Sequence, residues 1–116
     1  MTDLELLELA AKAAGYPIHS NAWSCSMGGG TPTLFMGNFG PKWNPLTDDG
    51  DALRLAVNLG LLVDVIDNDP EHCTEVVWRG CYATHGYRIR QEHETDAGEA
   101  TRRAIVRAAA EIGKDM

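Results

Sequence analysis

Basic residues are scarce in this sequence: 10 Lys and Arg stand against 17 Asp and Glu, for a formal charge of −7. Nucleic-acid and anionic-membrane binding draw most of their affinity from a basic footprint, so this balance argues against both. Cysteine is sparse as well. Cys25, Cys73 and Cys81 form an odd set without a C-x-x-C pair. That count speaks against an extracellular disulfide framework and for free thiols in a reducing compartment. No apolar run approaches the roughly 20 residues that span a bilayer. The opening MTDLELLELAAKAAG lacks the basic stretch of a secretory leader. The expectation is a cytoplasmic protein with no nucleic-acid or membrane partner.

What is present suits one globular domain over residues 1–116. A chain of this size buries roughly two-thirds of its unfolded surface, enough for a core without metal or disulfides. The hydrophobic fraction of 44% and the charged fraction of 23% are ordinary for such a fold. Charge is unevenly spread: residues 61–78 hold five acids, Asp64, Asp67, Asp69, Glu71 and Glu75, and no Lys or Arg. Residues 79–116 hold seven bases against six acids.

Local signals order the elements. Thr2 and Glu5 have capping-box spacing. Leu4, Leu7, Ala11 and Ala14 then share one helical face, widened by Leu6 and Ala10, with Glu8 and Lys12 at i,i+4 opposite. Gly15 is a natural stop. Residues 18–40 are the least helical, with strand candidates near 20–26 and 32–37 around Gly28-Gly29-Gly30. A second helix starts after Trp43-Asn44-Pro45, capped by Thr47 or Asp48, and ends at Gly60. Its apolar Ala52, Leu53, Leu55, Ala56, Val57 and Leu59 call for cover on most sides. The run 61–66 is apolar and β-branched, as expected of a strand covered on both faces. A polar turn leads to a second strand, CTEVVWRG, and a further extended piece lies near 82–89. The last helix starts at Asp96. It has a core stripe of Thr101, Ala104, Ile105, Ala108 and Ile112 and an exposed ladder of Glu99, Arg103, Arg107 and Glu111. The order α-β-β-α-β-β-(β)-α predicts an α+β fold: a three-layer α/β/α sandwich around a mainly antiparallel sheet of four to five strands.

Two stretches, WNPLTDDGDALRLAV (43–57) and EATRRAIVRAAAEIG (99–113), resemble the phage ABA-sandwich domain family of small bacteriophage and prophage proteins. They match in order and separation as well as in sequence, and cover about a quarter of the chain. The resemblance implies a sheet between helical layers and a phage or prophage gene expressed in a bacterial cytoplasm. It implies no activity, cofactor or ligand residue. Its motif positions Trp43, Asn44, Pro45, Asp48, Asp49 and Asp51 have local structural work: the Trp packs at the helix entrance, and the acids cap the helix and complement its dipole.

Other candidate sites fail on spacing. His72, Cys73, Cys81 and His85 are zinc-type ligands, but adjacent strand residues point to opposite faces. Asp67, Asp69 and Glu71 start like a calcium loop, yet the sixth position is His72 rather than Gly and the twelfth is Trp78 rather than Glu. Neither 28–31 nor 37–42 supplies a P-loop. Cys25, between Ser24 and Ser26 with His19 near in sequence, lacks an orienting third group. Val106, Ala109 and Ala110 form a second apolar stripe on the last helix, open to a wide sheet face or to a second copy of the chain. No catalytic, cofactor or metal residues are assigned. The expected function is non-enzymatic contact with a host or phage protein, with a homodimer as one form. The alternatives are a binder of a nucleotide-like ligand at Trp23, Phe35 and Trp43, and a minor virion component.

Overall fold

The computed structural model describes residues 2–16, 18–20, 34–36, 42–79, 86–94 and 96–116. Helix α1 (Asp3–Ala14) is followed by β1 (Ile18–Ser20), β2 (Leu34–Met36) and β3 (Lys42–Trp43). Then come helix α2 (Asp49–Leu59), β4 (Leu62–Asn68), β5 (Glu71–Arg79), β6 (Gly86–Glu92) and helix α3 (Ala97–Lys114). The fold is mixed α+β. In place of one sheet of four to five strands, the described strands form two antiparallel sheets of three, β1-β2-β3 and β4-β5-β6.

The helix ends follow their local chemistry. The Thr2 hydroxyl accepts the Glu5 N–H at 3.2 Å, and Gly15 closes α1 in the left-handed region at φ 73°. Asp48 caps α2 by accepting the Asp51 N–H at 2.8 Å, and Gly60 ends it at φ 65°. Asp96 caps α3 through the Gly98 N–H at 3.0 Å. Each side-chain cap satisfies a donor that helix geometry leaves free.

Helix α3 is the hub. On one side it packs against β5 and β6, and on the others against α1 and α2. This is why Ala104, Val106, Ala108 and Ala109 are all fully buried although they span more than one face. The second stripe, Val106, Ala109 and Ala110, is thus buried within the chain and offers no surface to a second copy. Helix α1 runs beside α3 in the same sense. The Arg103 guanidinium meets Asp3 at 3.2 Å at one end, and the Lys12 ammonium donates to the Met116 carbonyl at 3.1 Å at the other. Between them, a Cβ built on Gly113 would overlap the Leu9 carbonyl oxygen, so this position admits only glycine without a shift. The expected ladder along α3 is absent among the described residues: Arg103 pairs with α1, while Arg107 donates to the Arg90 carbonyl and to Gln91 on β6. Lys12 likewise reaches the C-terminal residue rather than Glu8.

Two expectations about burial need correction. Strand β4 is not covered on both faces. It lies at the edge of its sheet, so Leu62 and Val65 stay 65% and 51% exposed. Helix α2 is not covered on most sides either. Ala52, Leu55 and Ala56 are buried, but Leu53 and Val57 are 63% and 72% exposed.

Candidate functional site

Helix α2, the first turns of α3 and strand β4 enclose a groove of about 470 Å³. Its floor is made by Ala52, Leu53 and Ala56 from α2, Val63 and Val65 from β4, and Ile105 from α3. Three features of the chain create it. The period of α2 directs Ala52 and Ala56 inward together, and their small side chains leave space. The strand alternation brings Val63 and Val65 to the face that packs on α3. Arg102 closes one end by tying the entry of α2 to α3: it donates to the Leu46 carbonyl at 2.9 Å and pairs with Asp49 at 2.7 Å. The groove is therefore apolar below, with one neutralised ion pair on its rim. A volume of a few hundred Å³ with few polar groups suits apolar side chains better than a charged metabolite.

The motif residues gather at the entry to α2, beside this groove. Trp43 is 4% exposed and meets Tyr16 edge-on, with ring centroids 5.8 Å apart. Its indole has no free face for a base. The Asn44 N–H donates to Asp51 at 2.9 Å, and the Asn44 side-chain oxygen accepts the Leu46 N–H at 3.0 Å. The other Asp51 oxygen takes Arg54 at 2.7 Å. This hydrogen bond is the chief reason that the Arg54 guanidinium is held even more firmly protonated than usual. Pro45 is buried, and Asp49 holds Arg102. Every polar group of this motif that faces inward is thus engaged within the fold.

A second constellation, not anticipated from the sequence, joins the sheet to α3. The buried Thr74 hydroxyl lies 2.7 Å from His93 Nε2 and 2.8 Å from the Thr101 hydroxyl. A Thr–His contact of this length is the geometry of an activated nucleophile. Here Thr74 is fully buried, so no substrate atom can reach its oxygen. The chain of hydroxyls satisfies a polar group inside the core.

The remaining candidates separate. His72 is exposed, with Nδ1 2.6 Å from Asp67 and Nε2 3.7 Å from Asp69. Cys73 is buried on the opposite side of the strand, and burial pushes its thiol pKa up. Cys81 and His85 lie outside the described residues, as do Trp23, Cys25 with its serines, Gly28–Thr31 and residues 37–41. Asp67, Asp69 and Glu71 surround the β4–β5 turn, where Asn68 pairs with Glu71. Among the described residues, no three His, Cys, Asp or Glu side chains converge on a metal-sized point, and no helix is long and apolar enough to cross a membrane.

Apolar sequence alone does not separate Leu53 and Val57 from the core residues of α2, and with them goes the apolar wall that Leu53 gives the groove. The available signal was their i,i+4 spacing apart from Ala52, Leu55 and Ala56, which already supply a complete inward stripe. No family model, no curated protein and no solved structure matches this chain.

Proposed function

We propose that this protein is a non-enzymatic accessory protein of a phage or prophage that acts by contact with another protein, and that the groove beside β4 is its contact surface. The observation that carries this is the pairing of an apolar groove with exposed Leu53 and Val65 on its walls, beside a β4 edge that no described strand pairs. Scattered apolar residues are normal on a surface, whereas a contiguous patch beside a cleft marks a contact site. The phage setting rests on the resemblance of segments 43–57 and 99–113 alone. That resemblance also supports a layered α/β/α arrangement, toward which α3 on one face of the β4–β6 sheet supplies one layer.

The test is photo-crosslinking in the expressing cell from a photoreactive residue at position 53. A protein adduct that recurs, and disappears when Val65→Lys is added to the same variant, supports the proposal. Absence of any protein adduct from a folded variant sinks it. So does marked thermal stabilisation of the purified protein by nucleotides, which would favour the small-ligand alternative.

A further inference from the structure

We infer that the groove's occupant is an extended segment of a partner protein that adds to β4 as a fourth strand, with a Lys or Arg beside Asp64 flanked by apolar residues. This rests on the protein-contact proposal above and names the partner's chemistry.

The backbone supplies the first part. His93 donates its N–H to the His72 carbonyl at 2.9 Å, so His72 faces β6. The alternation of an antiparallel ladder then turns Glu71, Cys73, Glu75 and Val77 toward β4. Their partners Asn68, Ile66, Asp64 and Leu62 face back. Val63, Val65 and Asp67 are left with N–H and C=O directed away from the sheet. An open row of this kind is a template for another strand. The opposite edge of the sheet is blunted: the Arg107 side chain donates to the Arg90 carbonyl at 3.3 Å. Among the described residues, no such contact covers β4.

Charge supplies the second part. On the face away from α3, Asp64 stands directly opposite Glu75. Like charges in that position repel. Glu75 is compensated from its other side by Arg88 and Arg90, each 3.8 Å away. Asp64 has no cation within ion-pair range among the described residues, and its open side is where a neighbouring strand would lie. A cation there would offset Asp64 from its open side as Arg88 and Arg90 offset Glu75 from the other, leaving the two adjacent carboxylates with a base on each flank. The next residues of such a strand fall on the other face, above Val63 and Val65 and the apolar groove. The fitting sequence is therefore apolar-basic-apolar, for either strand direction.

A second copy does not meet this requirement through its own β4, which has no Lys or Arg in any register. Its β6 has Arg88 and Arg90, but the Arg107 side chain occupies that edge.

The experiment uses the whole chain with two synthetic peptides, one centred on Ile-Lys-Val and one on Ile-Glu-Val. Affinity is read by titration and amide hydrogen exchange by NMR. The expected result is preferential binding of the Lys peptide, with slowed exchange at Val63, Val65 and Asp67. An exposed ion pair supports a preference of about two- to fivefold. Asp64→Lys, checked for an unchanged fold by circular dichroism, should reverse the preference. Binding without protection of those three amides, or a preference indifferent to Asp64→Lys, overturns strand addition while leaving the groove as a contact site. Self-association that protects the same amides overturns the assignment to a partner. If neither peptide binds while position 53 still crosslinks to a protein, this inference fails and the broader proposal survives. If crosslinking fails as well, both fall.

Discussion

Gly113 of α3 lies directly against the Leu9 backbone of α1, so closely that a methyl group on Gly113 would overlap the Leu9 carbonyl oxygen. The obstacle is main chain, which cannot swing aside as a side chain can. Gly113→Ala should force the helices apart and destabilise the protein by about 1–3 kcal/mol, the usual cost of overpacking. Urea denaturation checks this. Stability equal to or above that of the parent would mean that α1 can slide at little cost, since alanine is otherwise the better helix former.

Thr74→Val should cost about 1–3 kcal/mol by the same measurement. The substitution keeps the shape but removes the hydroxyl that joins His93 to Thr101. The half-buried Thr101 hydroxyl and His93 Nε2 each lose a hydrogen bond to Thr74, worth about 0.5–1.5 kcal/mol apiece. The double substitution Thr74→Val, Thr101→Val should cost less than the sum of the two singles, because it removes both ends of one interaction.

Asp48→Ala should destabilise by about 1 kcal/mol, since α2 loses the acceptor for the Asp51 N–H. Asp48→Asn should recover most of that loss because the amide oxygen still accepts. Recovery by Asn separates the hydrogen-bonded cap from simple loss of charge, and thermal melting of the three proteins measures it.

Cys73 has a thiol pKa raised by burial, so the folded state favours the protonated thiol. Its contribution is complete at pH values below the ordinary thiol pKa of about 8.5. It is lost as pH rises through the elevated folded value, because the unfolded chain ionises first. The stability of the parent relative to Cys73→Ala should therefore decline above that pH. A difference that stays flat up to strongly alkaline pH would contradict it. In the folded protein at neutral pH, Cys73 should also resist alkylation.

Val65→Lys and Leu53→Asp should change stability by no more than about 0.5 kcal/mol, since both side chains are more than half exposed. Both should weaken whatever contact the groove makes. A large loss of stability in either variant would mark these residues as part of the core instead.

The helices were legible because their signals are local. Thr2, Asp48 and Asp96 each bond a backbone N–H two or three residues away, and Gly15 and Gly60 end helices by their own backbone freedom. The contacts of Trp43, Asn44 and Asp51 also lie within a few residues of one another, apart from Tyr16. What escaped the sequence depends on distant partners. The β4 run reads as apolar whether a neighbour covers it or not, and only the strand order reveals an edge. The extra strand β3 is two residues long and is defined by its register against Leu34 and Phe35. Arg103 and Arg107 have the spacing of a helical ladder, yet each has an alternative partner on another element.

The position of α3 has a consequence for how the chain is made. Asp3 and Arg103, joined across the helix pair, are 100 residues apart in sequence. Synthesis releases α1 well before the helix that buries Leu7 and Ala10 exists. Strands β5 and β6 also emerge ahead of the helix that covers their inner face. Pairings of such long sequence separation close late and slowly. A nascent chain of this protein therefore exposes its apolar faces until α3 is free, and a chaperone acting on it would have that interval in which to do so.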